Sequence, residues 1–271
     1  QNKYDVIIDM RSTIRTLFFS LFSLKTPFRI GRIKGYTRFL LNYRTDTYSN
    51  SLTTDMVERN LLLAAPLEKI KPIQYTKEFR LYLTDQEKKD FRYYMEKEGI
   101  DFARPVFLIG VTTKLLHKKW NTEFMITTLK RILEEYKDIQ MIFNYAPGYE
   151  EEDARNIYKE LGCPERIKID IQASSLRQLA ALCANCSFYF GNEGGARHIA
   201  QALEIPSFAI YSPSAYKSMW LPTNSVLARG ISPDDILPPE QQATLTYEER
   251  FALITPEKVY NQLTSTLRQL G

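Results

Sequence analysis

The chain has 271 residues, of which 44% are hydrophobic and 25% are charged, and its formal net charge is +4 at pH 7. These values are typical of a globular protein and exclude an intrinsically disordered chain, and the length suits about two domains. No apolar run is long enough to span a bilayer, and the apolar stretch at 17–24 lacks the small-residue cleavage site of a signal peptide.

The first hundred residues predict strands and helices in loose alternation. The segment YDVIIDM (4–10) resembles an interior strand, and the chain enters it almost directly from Gln1. We therefore expect an N-terminal domain that lacks its first elements. The periodicity then predicts a helix in RSTIRTLFFSLFSL, a short strand or turn in FRIGRI, a helix in SLTTDMVERNLLLAAPL, an extended segment in FRLYLT and a helix in DQEKKDFRYYMEKEGI.

The charge of this part of the chain is uneven. Residues 1–50 hold nine lysine or arginine and three aspartate residues, so they carry +6 and the remainder carries −2. Such a segment indicates an anionic partner: a phosphorylated substrate, an anionic lipid surface or a nucleic acid. The alternative is a basic face that is simply exposed to solvent. Arg29, Arg32, Lys34 and Arg38 interleave here with aromatic residues, but no recognised nucleic-acid-binding motif is present.

From residue 106 onward the alternation is regular. Strands are predicted in VFLIGV, IQMIFNYA, RIKID, SFYFG and SFAIYSP. Helices are predicted in NTEFMITTLKRILEEYK, GYEEEDARNIYKELG, SSLRQLAALCAN and ARHIAQALE. Near-continuous apolar strands separated by helices are typical of a parallel sheet that is covered on both faces. We therefore predict a Rossmann-like unit in this half of the chain.

Three cysteines, Cys163, Cys183 and Cys186, do not form a disulfide framework. The odd count and the apolar neighbours fit a reducing compartment. Cys183 and Cys186 are spaced as CxxC, which allows a metal or redox role, but no second ligand pair follows at zinc spacing. Small buried apolar side chains are the favoured interpretation.

These elements predict two α/β domains and a final helix. Residues 1–100 form the first domain, and residues 101–254 form the Rossmann-like second domain. The polar, proline-rich stretch ISPDDILPPEQQATLTYEER is expected to be a surface connection. Residues 255–271 form a C-terminal helix that could pack back on the first domain.

Three polar segments follow strands of the second domain, at the sheet edge where ligands of such folds bind. They are TTKLLHKKW after the first strand, YAPGYEEE after the second, and GNEGGARH after SFYF. Together they offer hydroxyls, clustered cations, carboxylates and the backbone N–H groups of a glycine-started helix. This set suits a nucleoside diphosphate, whose oxygens accept from N–H and hydroxyl groups and whose ribose is held by a carboxylate.

The ordered set also resembles glycosyltransferase family 9, the lipopolysaccharide heptosyltransferases. TTKLLHKKW is similar to that family's T-T-…-K-x-W segment, and GNEGGARHIAQALEIPSFAIYSP to its G-x-D-[ST]-G-x-x-H block. SSLRQLAALCANCSFYFGN, the W-x-P at Trp220 and Pro222, and YDVIIDMRSTIRTLFFSL resemble three further segments. The match runs from Tyr4 to the final helix and is closest from 106 to 222.

The resemblance implies a GT-B fold, in which two Rossmann-like domains with parallel sheets face each other across a cleft and the second binds the sugar nucleotide. It implies that Lys118 stabilises the nucleoside diphosphate as it leaves the sugar. Because the loop is one residue longer than usual, Lys119 could take this role instead. It places the following residues at the donor: Thr112, Thr113, Lys118, Lys119, Glu150, Glu151, Glu193, Gly194, Gly195 and His198. No D-x-D motif and no metal-spaced cluster is present, so we expect neither a metal ion nor a cofactor besides the donor, ADP-heptose being favoured.

Two departures from the family pattern stand in the glycine block. Glu193 occupies the position of the family's Asp, and Gly194 that of its Ser or Thr. The general base also has no match in this chain and is expected upstream of Gln1. Asp9, at the end of the YDVIID strand, is interpreted as a structural or acceptor-side carboxylate rather than as the base.

The resemblance makes the first domain the acceptor side. It implies that the acceptor is an anionic glycolipid of the lipid A–inner core type, bound by Arg29, Arg32, Lys34 and Arg38. It further implies a cytoplasmic protein in peripheral contact with the bacterial inner membrane, and no nucleic-acid partner. The alternative is a truncated or inactive sugar-nucleotide-binding module. A dinucleotide oxidoreductase is disfavoured, because no G-x-G-x-x-G follows a first strand.

Overall fold

A computed structural model describes residues 3–47, 55–221 and 225–270. The start of the predicted helix SLTTDMVERNLLLAAPL and the predicted motif residue Pro222 lie outside these ranges. Contacts divide the chain into two compact units. The first unit runs up to Phe79 and includes the short segment that begins at Ser218, and the second starts at Arg80 and holds the rest. The unit boundary therefore lies earlier in the chain than the predicted boundary at residues 100/101.

The first unit contains a three-stranded parallel sheet in the order β1–β2–β3. Its core is small and includes Leu17, Ile30, Leu41 and Leu63. The apolar YDVIID and FRIGR segments form strands as predicted, whereas β3 was missed because it is only three residues long. Its elements are β1 (Val6–Asp9), α1 (Ile14–Leu21), β2 (Phe28–Arg32), β3 (Tyr43–Thr45) and α2 (Met56–Leu61).

The predicted helix after residue 51 is shorter than the pattern suggests. Asp55 caps its start by accepting from the Glu58 N–H, and α-helical geometry ends at Leu61. The chain then tightens into a 3₁₀ helix, Leu62–Lys69, which contains Pro66. Proline has no N–H to donate and clashes with the preceding turn, so an α-helix cannot run through this position without a break.

The second unit contains a six-stranded parallel sheet in the order β6–β5–β4–β7–β8–β9. This is the strand order of doubly wound nucleotide-binding folds, and it places β4 and β7 side by side at the point where the chain reverses its direction across the sheet. The strands are β4 (Val106–Gly110), β5 (Gln140–Phe143), β6 (Ile167–Lys168), β7 (Phe188–Asn192), β8 (Ser207–Ile210) and β9 (Ala228–Ile231).

Helices of the second unit connect and cover these strands. Their starts follow the sequence, since Thr84, Asn121 and Ser175 each cap a helix by accepting a backbone N–H through the side chain. The helices are α3 (Asp85–Lys97), α4 (Thr122–Glu135), α5 (Tyr149–Glu160), α6 (Leu176–Ala184), α7 (Gly195–Ala202), α8 (Lys217–Trp220, spanning the boundary between the units), α9 (Tyr247–Ala252) and α10 (Pro256–Leu270).

Apolar clusters on the two faces of this sheet set the limits of the second unit. On one face, Phe91 and Met95 of α3 are buried with residues of α6 such as Leu182, so α3 belongs to this unit. On the other face, Val259 and Leu263 of α10 are buried with residues of α4. That α10 also contacts the first unit stays a prediction.

The stretch predicted as a surface connection is more structured than expected. It contains α9 and two short 3₁₀ turns, Pro233–Asp235 and Pro239–Gln242, and the side chains of Ser232, Pro233 and Gln242 are buried. Gln242 is held by hydrogen bonds to Asp234 Oδ1 and to the Leu237 carbonyl. Among the described residues, no helix has the length and apolar character needed to span a membrane.

Candidate functional site

The carboxyl ends of β4 and β7 meet at the reversal point of the second sheet. Gly110 pairs with Gly191 in the register of these two strands. Gly191 has φ +141°, and a Cβ atom there would lie 2.4 Å from the Gly110 carbonyl oxygen. Only glycine permits this approach, so Gly191 is required by the packing of the two strands. The first glycine of the GNEGG stretch therefore has a structural role.

The β4 loop, which we define as residues 111–120, leaves the end of β4 and is fixed at several points. Trp120, which ends the loop, is buried, and its indole N–H donates to the Ile254 carbonyl at 2.9 Å. The Tyr149 hydroxyl donates to the Thr113 carbonyl at 2.9 Å, and the Tyr247 hydroxyl donates to the His117 carbonyl at 2.6 Å. The segments after β4 and β5 therefore converge, as the sequence predicts.

Thr112 and Thr113 open this loop in different environments. Thr112 is buried, and no described residue forms a hydrogen bond with its hydroxyl. Thr113 is half-buried. An unmatched buried hydroxyl costs free energy unless a ligand or an ordered water completes it, so Thr112 fits a binding edge.

The segment after β7 meets the β4 loop through one ion pair. Lys118 Nζ lies 2.7 Å from Glu193 Oε1, and the Glu193 side chain is only 7% exposed. The contact joins two residues that are far apart in sequence, and it places the predicted cation directly beside the acidic position at which this chain departs from the family pattern. The lysine is therefore neutralised by the protein itself.

The neighbouring Lys119 points to a different partner. Its Nζ contacts both carboxylate oxygens of Asp153, in α5, at 3.0 and 2.9 Å. The sequence left open which of the two lysines has the leaving-group role, and the structure gives them different partners. Lys118 contacts Glu193, just before α7, whereas Lys119 connects the β4 loop to α5.

His198 lies in the first turns of α7 beside a buried arginine. A guanidinium nitrogen of Arg197, which is fully buried, is within hydrogen-bond distance of His198 Nδ1. Burial, with the neighbouring charges of Arg197 and Lys118, lowers the pKa of His198 from its ordinary value of 6.5 to about 4. The imidazole is therefore neutral at pH 7 and accepts a hydrogen bond from the arginine.

Two helices that begin at this edge of the sheet start at glycines. Gly148 precedes α5 and Gly194 precedes α7, and neither start has a side-chain cap. A Cβ atom at Gly194 or Gly195 would meet nothing within 4 Å. The backbone N–H groups of the first turn of α7 are therefore approachable by a ligand, and they favour negative charge.

The two candidate ribose carboxylates at the start of α5 also differ. Glu150 is buried, and this burial raises its pKa above the ordinary value. Glu151 contacts the Arg155 guanidinium at 3.0 Å, one helical turn along α5. Of the two, Glu150 is the one without an ion pair among the described residues.

Comparison with known proteins places this chain in a family. The sequence model of glycosyltransferase family 9 (heptosyltransferase) matches residues 1–230. The chain belongs to glycosyltransferase family 9. No protein of curated function shows a significant sequence match.

Solved structures of similar fold include three with family 9 or heptosyltransferase descriptions. ADP-heptose lipopolysaccharide heptosyltransferase II of E. coli is 19% identical, with a TM-score of 0.67. The alignment covers 98% of this chain and 77% of that chain. The family 9 glycosyltransferase of Veillonella parvula is 15% identical, with a TM-score of 0.74 and coverages of 99% and 75%. The E. coli heptosyltransferase WaaC with ADP-2-deoxy-2-fluoro heptose is 14% identical, with a TM-score of 0.61 and coverages of 97% and 73%.

These likenesses confirm the predicted α/β fold of the GT-B class, with parallel sheets in both units. The chain is a glycosyltransferase of the heptosyltransferase family. Within residues 3–47, 55–221 and 225–270, no group of three or more His, Cys, Asp or Glu side chains could hold a metal ion. Cys183 and Cys186 are buried free thiols.

In the first unit of this glycosyltransferase, Asp9 is held by its own chain. Its Oδ1 accepts from the Ser12 N–H at 2.7 Å and from the Arg11 N–H at 3.1 Å, and its Oδ2 accepts from the Thr16 hydroxyl at 2.7 Å. The carboxylate thereby orders the turn between β1 and α1. This geometry favours the structural interpretation of Asp9.

The four basic residues predicted to bind the acceptor fall into two pairs. Arg29 donates to the carbonyls of Leu24, Thr26 and Leu40. Arg32 is 6% exposed, and each of its three guanidinium nitrogens donates a hydrogen bond within the first unit. Lys34 is half-buried and donates to the Arg11 carbonyl, and Arg38 is exposed. Arg29 and Arg32 are thus tied to their own unit by several hydrogen bonds, whereas Arg38 is exposed to solvent.

Sequence reasoning did not single out Asn192 and Arg197. Asn192 ends β7 and its side-chain amide contacts both β4 and the β4 loop. Arg197 is completely buried on α7. A lone charged residue in the helical spacing of ARHIAQALE gives no signal that it is buried, because the same pattern is typical of an exposed face.

Proposed function

We propose that this chain transfers heptose, or a related sugar, from a nucleoside-diphosphate donor to an anionic glycolipid of the lipopolysaccharide core type. The observation that carries the proposal is the contact between Lys118 and Glu193, because it places a cation at the start of α7, at the reversal point of a doubly wound sheet. ADP-heptose is the proposed donor, since WaaC of similar fold is described with an ADP-heptose analogue.

The donor is assigned to the edge of the second sheet. Lys118 and the N–H groups at the start of α7 bind the diphosphate, which is the kind of anion that helix starts accommodate. Thr112 and Thr113 donate their hydroxyls to phosphate oxygens. Glu150, buried at the start of α5, accepts from the ribose hydroxyls, and Lys119 stabilises the loop through Asp153.

The reaction exchanges one bond at the sugar C1 for another. The acceptor oxygen attacks C1 while the bond from C1 to the diphosphate oxygen breaks, and the acceptor proton passes to a general base. Negative charge grows on the diphosphate as positive charge grows on the sugar. Lys118 and the α7 N–H groups stabilise the departing diphosphate, and the proposal gives this role to the protein's own groups rather than to a metal ion.

The acceptor side and the membrane contact are assigned to the first unit. Phe18 and Phe19 of α1 are 54% and 72% exposed, and Phe22, immediately after α1, is 82% exposed. Lys34 and Arg38 supply positive charge in the same unit. Exposed apolar rings and basic groups in one unit favour an anionic lipid surface, so we propose peripheral contact with the cytoplasmic face of the bacterial inner membrane.

Calorimetry with ADP, GDP and UDP tests the donor assignment. The wild-type chain is expected to bind ADP most tightly. Lys118→Met is expected to weaken ADP binding by about 10- to 100-fold, because a hydrogen bond to a charged group contributes about 1.5–3 kcal/mol. Lys119→Met is the matched control and is expected to weaken binding less than Lys118→Met, because Lys119 contacts Asp153 rather than the start of α7. Equal losses in both variants would reject the assignment of Lys118.

A sugar-nucleotide-binding module without turnover is the second candidate function. It is favoured by the pairing of Lys118 with Glu193, which reduces the charge available to the leaving group. Mass spectrometry of a core glycolipid incubated with ADP-heptose separates the two. Acceptor mass increased by one heptose supports the transferase, whereas ADP binding without any transfer supports the module.

Co-sedimentation with phosphatidylglycerol vesicles tests the membrane contact. The wild-type chain is expected to bind these vesicles more strongly than vesicles of phosphatidylcholine. Replacing both Lys34 and Arg38 by Glu is expected to reduce binding by at least about tenfold, since each basic residue near an anionic surface contributes about 1 kcal/mol. Binding that is insensitive to both charge changes would contradict the contact.

A further inference from the structure

The side chain of Asn192 contacts both ends of the β4 loop. Gly110 immediately precedes the loop and Trp120 ends it. Asn192 Oδ1 accepts from the Trp120 backbone N–H at 2.8 Å, and its Nδ2 donates to the Gly110 carbonyl at 3.0 Å. We propose that Asn192 is a positioning residue, which closes the β4 loop so that Lys118 meets the diphosphate. The ligand part of this inference rests on the proposed function.

The partners of Asn192 fix the orientation of its amide. A carbonyl oxygen only accepts and a backbone N–H only donates, so the oxygen must face Trp120 and the nitrogen must face Gly110. A hydrophobic residue of similar size could make neither bond. The residue is 1% exposed, so water cannot replace these partners without opening the site.

The backbone of Asn192 is itself held. The Tyr189 hydroxyl donates to the Asn192 carbonyl at 2.7 Å. Gly191 allows β7 to approach Gly110 closely, which brings the next side chain within reach of the β4 loop. The strand ends therefore form a rigid base from which one amide reaches both ends of the loop, and rigid support is what a precisely placed binding group requires.

Lys118 depends on this anchor because it lies two residues before Trp120. It ends a single 3₁₀ turn, Leu116–Lys118, in which its N–H donates to the Leu115 carbonyl at 2.7 Å. The contacts from Tyr149 and Tyr247 are exposed hydrogen bonds, and the buried bond from the Trp120 indole to the Ile254 carbonyl holds only the end of the loop. Buried hydrogen bonds cost more to lose than exposed ones, and Asn192 supplies two of them, one on each side of the loop, so its loss is expected to loosen the whole loop. Without it, ADP must order the loop when it binds, which lowers affinity.

Asn185 provides a matched control in the same unit. It also holds two segments together, since its Nδ2 donates to the carbonyls of Lys88 and Ala181, each at 2.9 Å. It lies at the end of α6, before β7 begins, and hence near the opposite edge of the sheet from the β4 loop. Asn185→Ala therefore loses two amide hydrogen bonds without touching the proposed site.

The experiment measures ADP affinity by calorimetry and hydrogen exchange of the β4 loop by mass spectrometry, in the full chain. Asn192→Ala is expected to weaken ADP binding about tenfold and to accelerate exchange in residues 111–120. Asn185→Ala is expected to keep wild-type values of both, even where its stability falls. Unchanged loop exchange in Asn192→Ala would overturn the inference, and so would accelerated exchange with wild-type ADP affinity.

A second variant covers the case in which Asn192→Ala fails to fold. Asn192→Asp keeps an acceptor for the Trp120 N–H but turns a carboxylate oxygen toward the Gly110 carbonyl, so loop exchange is expected to increase above the wild type. Wild-type exchange in this variant would also overturn the inference. If the wild-type chain binds none of ADP, GDP and UDP, the proposed function fails, whereas the exchange measurements still decide whether Asn192 closes the loop.

Discussion

The two units of this glycosyltransferase use their basic residues in different ways. In the first unit, Arg29 and Arg32 donate to backbone carbonyls and to polar side chains of the same unit. In the second, Lys118 contacts a single buried carboxylate at the edge of a sheet. The first arrangement uses several guanidinium donors within the fold, whereas an ion pair with one carboxylate can be exchanged for a stronger anion.

This difference shows that positive charge counted along a sequence does not locate an anion site. The first fifty residues carry +6, yet two of the four predicted acceptor residues are committed to the fold. The second unit has no such excess, yet its lysine lies at a helix start, where the backbone adds further donors. Partners, rather than the number of charges, determine what a basic residue can bind.

Replacing Arg32 is the strongest test of the structural arginines. Its guanidinium donates to the Met10 carbonyl at 2.8 Å, to the Thr47 hydroxyl at 2.7 Å and to Asn60 Oδ1 at 3.0 Å. Arg32→Leu removes all three bonds and leaves buried acceptors without donors, so we expect a loss of about 3–5 kcal/mol in the free energy of unfolding. Urea unfolding of the two proteins measures it.

Arg38→Leu is the control for this prediction. Arg38 is exposed, and its guanidinium lies 4.6 Å from the centre of the Phe39 ring. Its loss is expected to change stability by less than about 1 kcal/mol, as for other exposed cation–π pairs. If both variants lose the same small amount, the distinction between structural and solvent-facing arginines in the first unit is wrong.

The pH dependence of stability tests the buried cation cluster of the second unit. Because the pKa of His198 falls from 6.5 to about 4 on folding, the unfolded chain binds the proton more tightly. The stabilising effect is complete above pH 6.5 and is lost as the pH falls toward 4. Linkage gives a loss of about 2 kcal/mol at pH 5 and about 3 kcal/mol at pH 4.

His198→Gln removes this titration and isolates its contribution from that of the carboxylates. The variant is expected to lose less stability than the wild-type chain between pH 7 and pH 4.5, by about 2 kcal/mol, in urea unfolding at each pH. Parallel profiles for the two proteins would show that Arg197 and burial do not suppress protonation of His198.

Much of the second unit could be predicted because its strands are short apolar runs and its helices carry side-chain caps. VFLIGV, IQMIF and SFYFG each form a buried strand, and Asn121 and Ser175 start helices as expected. The convergence of the TTKLLHKKW and GNEGG segments follows from the parallel sheet. Family resemblance supplied the enzyme class, which periodicity alone does not contain.

The remainder depends on contacts between residues distant in the sequence. Pattern alone does not distinguish the buried Arg32 from the exposed Arg38, or Lys118 from Lys119, because both members of each pair have the same chemistry. The strand β9 was missed because ARGI combines an arginine and a glycine in four residues. The structural role of Gly191 likewise depends on such a contact, because it is set by the close approach of β7 to Gly110 of β4.

The smallest expected effect concerns the acidic residue that separates this chain from the family pattern. Glu193 forms an ion pair with Lys118, and a diphosphate bound there must compete with its carboxylate. Glu193→Gln keeps the size of the side chain and removes the charge, so ADP binding is expected to tighten about fivefold, or about 1 kcal/mol. Glu193→Asp, which restores the residue of the family pattern and keeps the charge, is expected to remain within about twofold of the wild-type affinity. Weaker ADP binding by Glu193→Gln in calorimetry would mean that the carboxylate aids diphosphate binding, for instance by holding Lys118 in place. The two units would then differ less in their use of basic residues than the geometry indicates.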